Sequence, residues 1–432
     1  MKLSLKKIGV AALASIASLG MVGTLSACGS GTANNGETSI TIFNSKSEIQ
    51  RQFQQMAKEY SASHHVNVTV YYSSDTVSSH LATKYASGEP YTLSMVDAKD
   101  VYSLAKEHAV DMSNQKWVKD TKYAIAIDGK TYGFPVSIEA RGLIYNADAI
   151  KKATGKEFKP SDYKTLAKFK TLLSELKAKG MPDGAVGLQK EDWSLAGHYL
   201  PQVYEEHKDT QAFVESLHAG KVNLNQDPVF TSLMDTWEVL RDNNYAKTSA
   251  ISAEREVTEQ KLAQGKIAFM WGGNWDWSVL NQYNPSKNMG VMPVPQDNPA
   301  LKANEKLLGG GSKYFFIDHS SHTSAKQVKA AEDFLNWMVY NKDGKKFVVD
   351  TCNLVSPFSN NTLSVSDPLG KSVKQFADNN GLLPGYNYLP DDHYSILGAN
   401  MQKYLAGQES RSDFAKQVEA YWKTAKISGP GK

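Results

Sequence analysis

Short apolar runs alternate with helical stripes along most of this chain. Ile40-Thr41-Ile42-Phe43 reads as a strand, and Ile49, Phe53, Met56 and Tyr60 then recur at the spacing that places side chains on one face of a helix. Residues 66–72 form a second β-rich run, 78–86 a second helix and 91–96 a third strand. Strands separated by helices of this length predict βαβ units and a parallel sheet. Later stripes are equally regular: Leu166, Phe169, Leu173, Leu176; Phe230, Leu233, Trp237, Leu240; Ala331, Phe334, Leu335, Met338. Their period assigns Trp237 and the neighbouring Trp337 to packing. Further strands are expected at 267–271, 291–293 and 314–317, and no solenoid or propeller period is visible.

The first residues break the pattern. Lys2, Lys6 and Lys7 precede an apolar stretch that Leu25-Ser26-Ala27-Cys28 closes, the order of a lipoprotein signal peptide. Residues 1–27 are then a leader, and Cys28 carries a diacylglyceryl group. Residues 28–38, small, polar and unpatterned, make a flexible tether. Two acyl chains give a durable anchor, since each buried CH₂ contributes about 0.8 kcal/mol. The expected location is the outer face of a bacterial cell membrane, most simply that of a Gram-positive cell. A transmembrane helix fits worse, because the stretch is short, rich in Gly and Ser and followed by no stop-transfer pattern.

The other cysteine, Cys352, has no partner for an internal disulfide, so stability must come from core burial. About 400 residues follow Cys28, more than one hydrophobic core usually serves, which predicts two lobes. Apolar and charged fractions of 41% and 22% are those of a globular protein, and a net charge of +3 without Lys/Arg blocks argues against nucleic acid as a partner.

Most catalytic vocabulary is missing. Gly309-Gly310-Gly311-Ser312-Lys313 precedes a β-rich run rather than opening a helix, and it lacks the spacing of a phosphate loop. The ten histidines show no metal-ligand spacing, no Gly-x-Ser-x-Gly elbow occurs, and neither metal nor cofactor is expected. Paired carboxylates for glycoside cleavage could sit anywhere among 45 acidic residues. What stands out is aromatics in non-periodic, polar settings: Trp271-Gly272-Gly273-Asn274-Trp275-Asp276-Trp277, Trp193 beside Glu191 and Asp192, and Tyr386, Tyr388 and Tyr394 near Asp391 and Asp392. Flat aromatic faces suit the C–H side of a pyranose, and carboxylates and amides suit its hydroxyls. Trp275 is the stronger stacking candidate, with Trp277 evenly balanced between ligand and core.

Taken with the leader and the α/β alternation, four segments carry a family resemblance: 129–146, with Gly-Lys-Thr-Tyr-Gly-Phe-Pro and the run to Tyr145-Asn146; 265–270 leading into the tryptophans; 309–316 before the stripe at Phe334; and Leu405-Ala406-Gly407-Gln408 with the helix that follows it. The chain resembles the extracellular solute-binding proteins of bacterial ABC importers, in the sugar-binding group that includes the maltose-binding protein. The resemblance implies a two-lobe α/β fold of the periplasmic-binding-protein type, each lobe a mostly parallel sheet flanked by helices, with a multi-crossing hinge. The lobes would comprise 39–138 with 311–356 and 139–310 with 357–432. It implies ligand contacts at Asn44, Lys46 and Glu48 after the first strand, and at Asp97, Glu139, Arg141, Trp193, Trp275, Trp277, Gly311, Ser312, Tyr388 and Tyr394. Glu139 falls on a hydroxyl-accepting carboxylate, unless it only pairs with Arg141 to hold the hinge. Tyr394 stands where maltose-binding relatives have tryptophan. The implied role is a monomeric, non-catalytic, lipid-anchored receptor that passes an oligosaccharide to an ABC permease; a surface glycoside hydrolase is the alternative.

Overall fold

The computed structural model describes residues 37–297, 300–427 and 429 of the 432. The expected leader, Cys28 and the tether up to residue 36 lie outside the described residues. From Thr38 onward the chain is one compact unit.

Its strands are β1 (Thr38–Phe43), β2 (Val66–Tyr71), β3 (Leu93–Asp97), β4 (Ile125–Ile127), β5 (Lys130–Pro135), β6 (Ile138–Asn146), β7 (Val186–Gly187), β8 (Phe269–Gly273), β9 (Met289–Met292), β10 (Leu307–Gly311), β11 (Lys313–Ile317) and β12 (Leu382–Leu383). They make two six-stranded sheets. One runs β2-β1-β3-β11-β5-β4, and the other β12-β10-β6-β8-β7 with β9 also paired to β6.

The expected strands and helices at the start of the chain are present: β1 pairs in parallel with β2 and β3, and the helix Gln50–His64 buries Phe53, Met56 and Tyr60. The three later stripes become the helices Leu166–Lys179, Pro228–Asp242 and Ala325–Tyr340. Asp227 and Ser324 cap the last two, each accepting a backbone N–H of the first turn, a contact that contributes about 1 kcal/mol.

The sheets are mixed rather than mostly parallel. β11 runs antiparallel to β3 and β5, and β6 antiparallel to β8, β9 and β10. The reason is the way the chain passes between sheets. β5 leads through Val136 and Ser137 into β6, and β10 leads back through Ser312 into β11. These two passages run side by side in opposite senses, joined by Val136 N to Lys313 O (2.8 Å) and Ser312 N to Ser137 O (3.1 Å). Val355 adds a third strand-like segment, its carbonyl accepting Ile138 N at 2.8 Å. The apolar core beneath the first sheet continues along this ribbon through Ile138, Ala140 and Ile144.

A second core gathers Phe169, Trp237, Trp271, Tyr404 and Trp422 under the second sheet. No described helix is long and apolar enough to cross a membrane.

Candidate functional site

Strand alternation sends Glu139 and Arg141 to the same face of β6. They do not pair with each other. Lys46, in the turn after β1, reaches across to Glu139 Oε1 at 2.6 Å and to Glu48 Oε1 at 2.7 Å, and Ser312 Oγ donates to Glu139 Oε2. Lys46 is 4% exposed. Burial alone would lower its pKa, but the two carboxylates hold the ammonium well above its ordinary range. Burial likewise opposes ionisation of Glu48, and Lys46 overrides it, keeping that carboxyl below its usual value.

Asn44 shapes the turn that presents Lys46: its Oδ1 accepts Lys46 N at 2.9 Å and its amide donates to Lys46 O and Gln50 Oε1. Asp97, at the end of β3, pairs with Lys313 at 2.6 Å and is likewise held low against burial by that lysine. Gly311 pairs with Ile138 and completes the ribbon. Arg141 is committed elsewhere, donating from Nε to His198 O at 3.0 Å and from its second terminal nitrogen to Glu205. Glu205 also accepts Tyr386 N at 2.8 Å.

Two strands of the second sheet connect this charged ribbon to an aromatic face. Arg141 lies opposite Gly273 of β8, and the Trp275 ring folds back over that glycine; a Cβ on Gly273 would stand 2.3 Å from the indole. Asp276 closes the turn by accepting Gly273 N at 2.8 Å, and Asn274 Oδ1 accepts Ala140 N at 3.0 Å. Trp193 lies edge-on to Trp275, ring centroids 6.5 Å apart at 67°, and His198 touches both, at 4.9 Å from Trp275 and 5.2 Å from Trp193. His198 sits in a π-helical turn, Leu195–Tyr199, a distortion often found at functional sites. Burial, then Arg141, Arg255 and Lys313, push its pKa well below 6.5, so the ring is neutral. Trp275 Nε1, Ser194 Oγ beside Trp193, and Ser45 Oγ in the turn before Lys46 are buried without a protein partner.

The structure thus brings together Asn44, Lys46, Glu48, Glu139 and Ser312 around the ribbon, and Trp193 and Trp275 on the aromatic face. Tyr394 lies with its ring against Gly197, and Tyr388 stacks obliquely on Tyr102 at 4.5 Å. Trp277 departs from the expectation of a ligand contact. It is 6% exposed within the apolar core, with Lys287 over its ring at 5.3 Å, and offers no free face. His198, Glu205, Arg255 and Lys313 complete the arrangement without any local motif to announce them. A groove of about 930 Å³ exists elsewhere, between the helices Gln50–His64 and Ala325–Tyr340, but it includes none of these residues. Among the described residues no group of three or more His, Cys, Asp or Glu is placed to hold a metal ion.

Comparison with known proteins decides the family. Residues 55–368 match the model of the bacterial extracellular solute-binding proteins. The chain belongs to this family. Across its length it is similar to the melibiose/raffinose/stachyose-binding protein MelE of Bacillus subtilis, 20% identical over 414 residues that cover 91% of each chain. Among solved structures, the binding protein RafE in complex with raffinose superposes with a TM-score of 0.75 at 17% identity, covering 89% of this chain and 99% of that one. A sugar transporter from Bacillus licheniformis in complex with stachyose gives 0.68 at 17%, covering 89% and 98%. These solute-binding proteins share the two-lobe fold, and the sheets described above are the centres of its two lobes.

Proposed function

We propose that this solute-binding protein captures an oligosaccharide between its two sheets and hands it to the permease of an ABC importer, while Cys28 ties it by lipid to the outer face of the cell membrane. The lobes of this reading are 39–138 with 311–356 and 139–310 with 357–432, meeting at the ribbon. The observation that carries it is the junction of unlike chemistries on neighbouring strands, Glu139 on β6 and Trp275 over the end of β8. A carboxylate has about four lone-pair sites, and Glu139 accepts Lys46 and Ser137 on one oxygen and Ser312 on the other, with capacity left for a sugar hydroxyl. The orphaned Trp275 Nε1 and Ser45 Oγ are donors in want of an acceptor, which hydroxyl oxygens supply. Relatives whose names specify raffinose, stachyose and melibiose point to the same ligand class.

Titration calorimetry with raffinose, stachyose and longer saccharides tests the reading, with chromatography of the mixture afterwards. One-to-one binding with the saccharide recovered intact is the expected result. Shortened products would replace the receptor with a glycoside hydrolase. The anchor is tested separately: Cys28→Ser should accumulate uncleaved precursor, and a wild-type protein that partitions into the aqueous phase of a detergent extraction would refute lipidation.

A further inference from the structure

Arg255, at the start of the helix Arg255–Ala263, grips both segments carrying the paired indoles. Its guanidinium lies over the Trp193 ring, 4.5 Å from the centroid. One terminal nitrogen donates to Glu191 Oε2 at 3.3 Å, two residues before Trp193. Nε and the other terminal nitrogen donate to Asp276 Oδ1 at 3.2 and 2.5 Å, one residue after Trp275. Glu259 Oε1, one turn along the same helix, closes the set at 3.3 Å. The second oxygen of Asp276 is the acceptor for Gly273 N, so the same carboxylate joins Arg255 to the turn that folds Trp275 over Gly273. A planar, always-charged fork can do this where a lysine cannot, because it donates in several fixed directions while stacking on an aromatic face.

We propose that Arg255 is a positioning residue for saccharide recognition: it fixes the angle between Trp193 and Trp275 and, by covering one face of Trp193, leaves a single stacking geometry. This rests on the oligosaccharide reading above. It predicts that Arg255 matters most for ligands long enough to engage both indoles, and little for a monosaccharide.

The closing experiment separates the two claims. Among the described residues Trp193 and Trp275 are the one pair of tryptophans in ring contact, so their coupled transitions should give an exciton couplet in circular dichroism without any ligand. Trp193→Phe in the full chain defines the signal that belongs to the pair. Arg255→Met should lose that signal, and Arg255→Lys, which keeps the charge but not the fork, should lose it as well while melting like the wild type. A couplet unchanged in both variants overturns the positioning role, whatever binds. Stachyose and galactose are then the binding probes: at least tenfold weaker stachyose binding in Arg255→Lys, with galactose changed less than twofold, is expected. Equal losses for both sugars would also overturn it. If the wild type binds neither probe nor any longer saccharide, the oligosaccharide reading fails while the couplet still decides what Arg255 does.

Discussion

The charged ribbon around Glu139 and the aromatic face around Trp275 stand on adjoining strands, yet they are finished in opposite ways. On the ribbon each charge meets another: Lys46 with Glu48 and Glu139, Asp97 with Lys313, Arg141 with Glu205. On the aromatic face the indole N–H of Trp275 has no partner, His198 is kept neutral, and three carboxylates crowd one guanidinium. The charges of the ribbon are paired within the protein and set its geometry. In the proposed reading the saccharide covers the aromatic face, the division of labour expected of a receptor whose binding residues hang on a rigid frame.

The largest effect should come from breaking the ribbon. Removing one partner of a buried ion pair leaves the other charge stranded, at a cost of about 3–5 kcal/mol. Lys46→Met strands Glu139, so urea unfolding should register a loss in that range, whereas Trp193→Phe should register much less. A loss below about 1 kcal/mol for Lys46→Met, the value of a surface pair, would show that the ribbon is not the frame.

Next comes pH, where the ribbon and the buried carboxyls beyond it should respond with opposite sign. Glu48 and Asp97 are held below their ordinary values, so their contribution is present above the unfolded carboxyl pKa of about 4 and is lost as pH falls through the folded values. Beyond Arg141 the sign reverses. Burial, only partly offset by Gln296 Nε2 at 3.1 Å, pushes Glu206 up to about 8. Burial and Asp276 raise Glu259 in the same direction. A raised carboxyl contributes fully below its unfolded pKa, and the contribution fades as pH climbs towards the folded one, by at most about 1.4 kcal/mol per pH unit for a single proton. Urea midpoints should therefore decline from about pH 5 to about pH 8, and Glu206→Gln should flatten that decline while leaving the acid limb intact. An unaltered slope in Glu206→Gln would move the proton elsewhere.

Third, Trp275→Ala should weaken stachyose binding by about 1–3 kcal/mol, roughly five- to 150-fold, the range of a buried aromatic contact. A fall in melting temperature with affinity intact would make Trp275 part of the frame and erase the contrast between the two regions.

How much of this the sequence showed follows from how local each signal is. β1 to β3 and the long helices were legible because a period of two or of 3.6 repeats often enough to stand out. The glycine run of β10 was not legible as a strand, since glycine disfavours strands. It is tolerated because the backbone passes so close to β6 that a Cβ on Gly309 would lie 2.3 Å from Glu139 O. In sequence Trp275 was the stronger stacking candidate and Trp277 was evenly balanced between ligand and core. They part because two residues along a helical turn lie about 200° apart, so one ring covers Gly273 and the other enters the core. Glu139 was marked by its resemblance, but its partner Lys46 lies 93 positions away, and nothing local couples them. Arg255 sits in an ordinary run of charged residues, and its meaning appears only when the 191–193 and 273–276 segments converge on it.

The smallest effect should come from the contact farthest from both regions. Lys99, on the helix Ala98–His108 that follows β3, meets Asp391 at 3.2 Å, just before the helix His393–Leu405 of the other lobe, and Tyr102 meets Tyr388 beside it. Asp391 is 66% exposed, and an ion pair open to water contributes only about 0–1 kcal/mol and less in salt. If the ribbon sets how the lobes meet, Asp391→Asn should shift stachyose affinity by less than about threefold at low ionic strength, and by nothing measurable near 1 M salt, where the Debye length is about 3 Å. The same substitution should leave the Trp193–Trp275 couplet untouched. A tenfold change that persists in high salt would mean that the lobes are held at their rim rather than at Lys46 and Glu139, and the frame would have to be redrawn around Tyr102 and Tyr388.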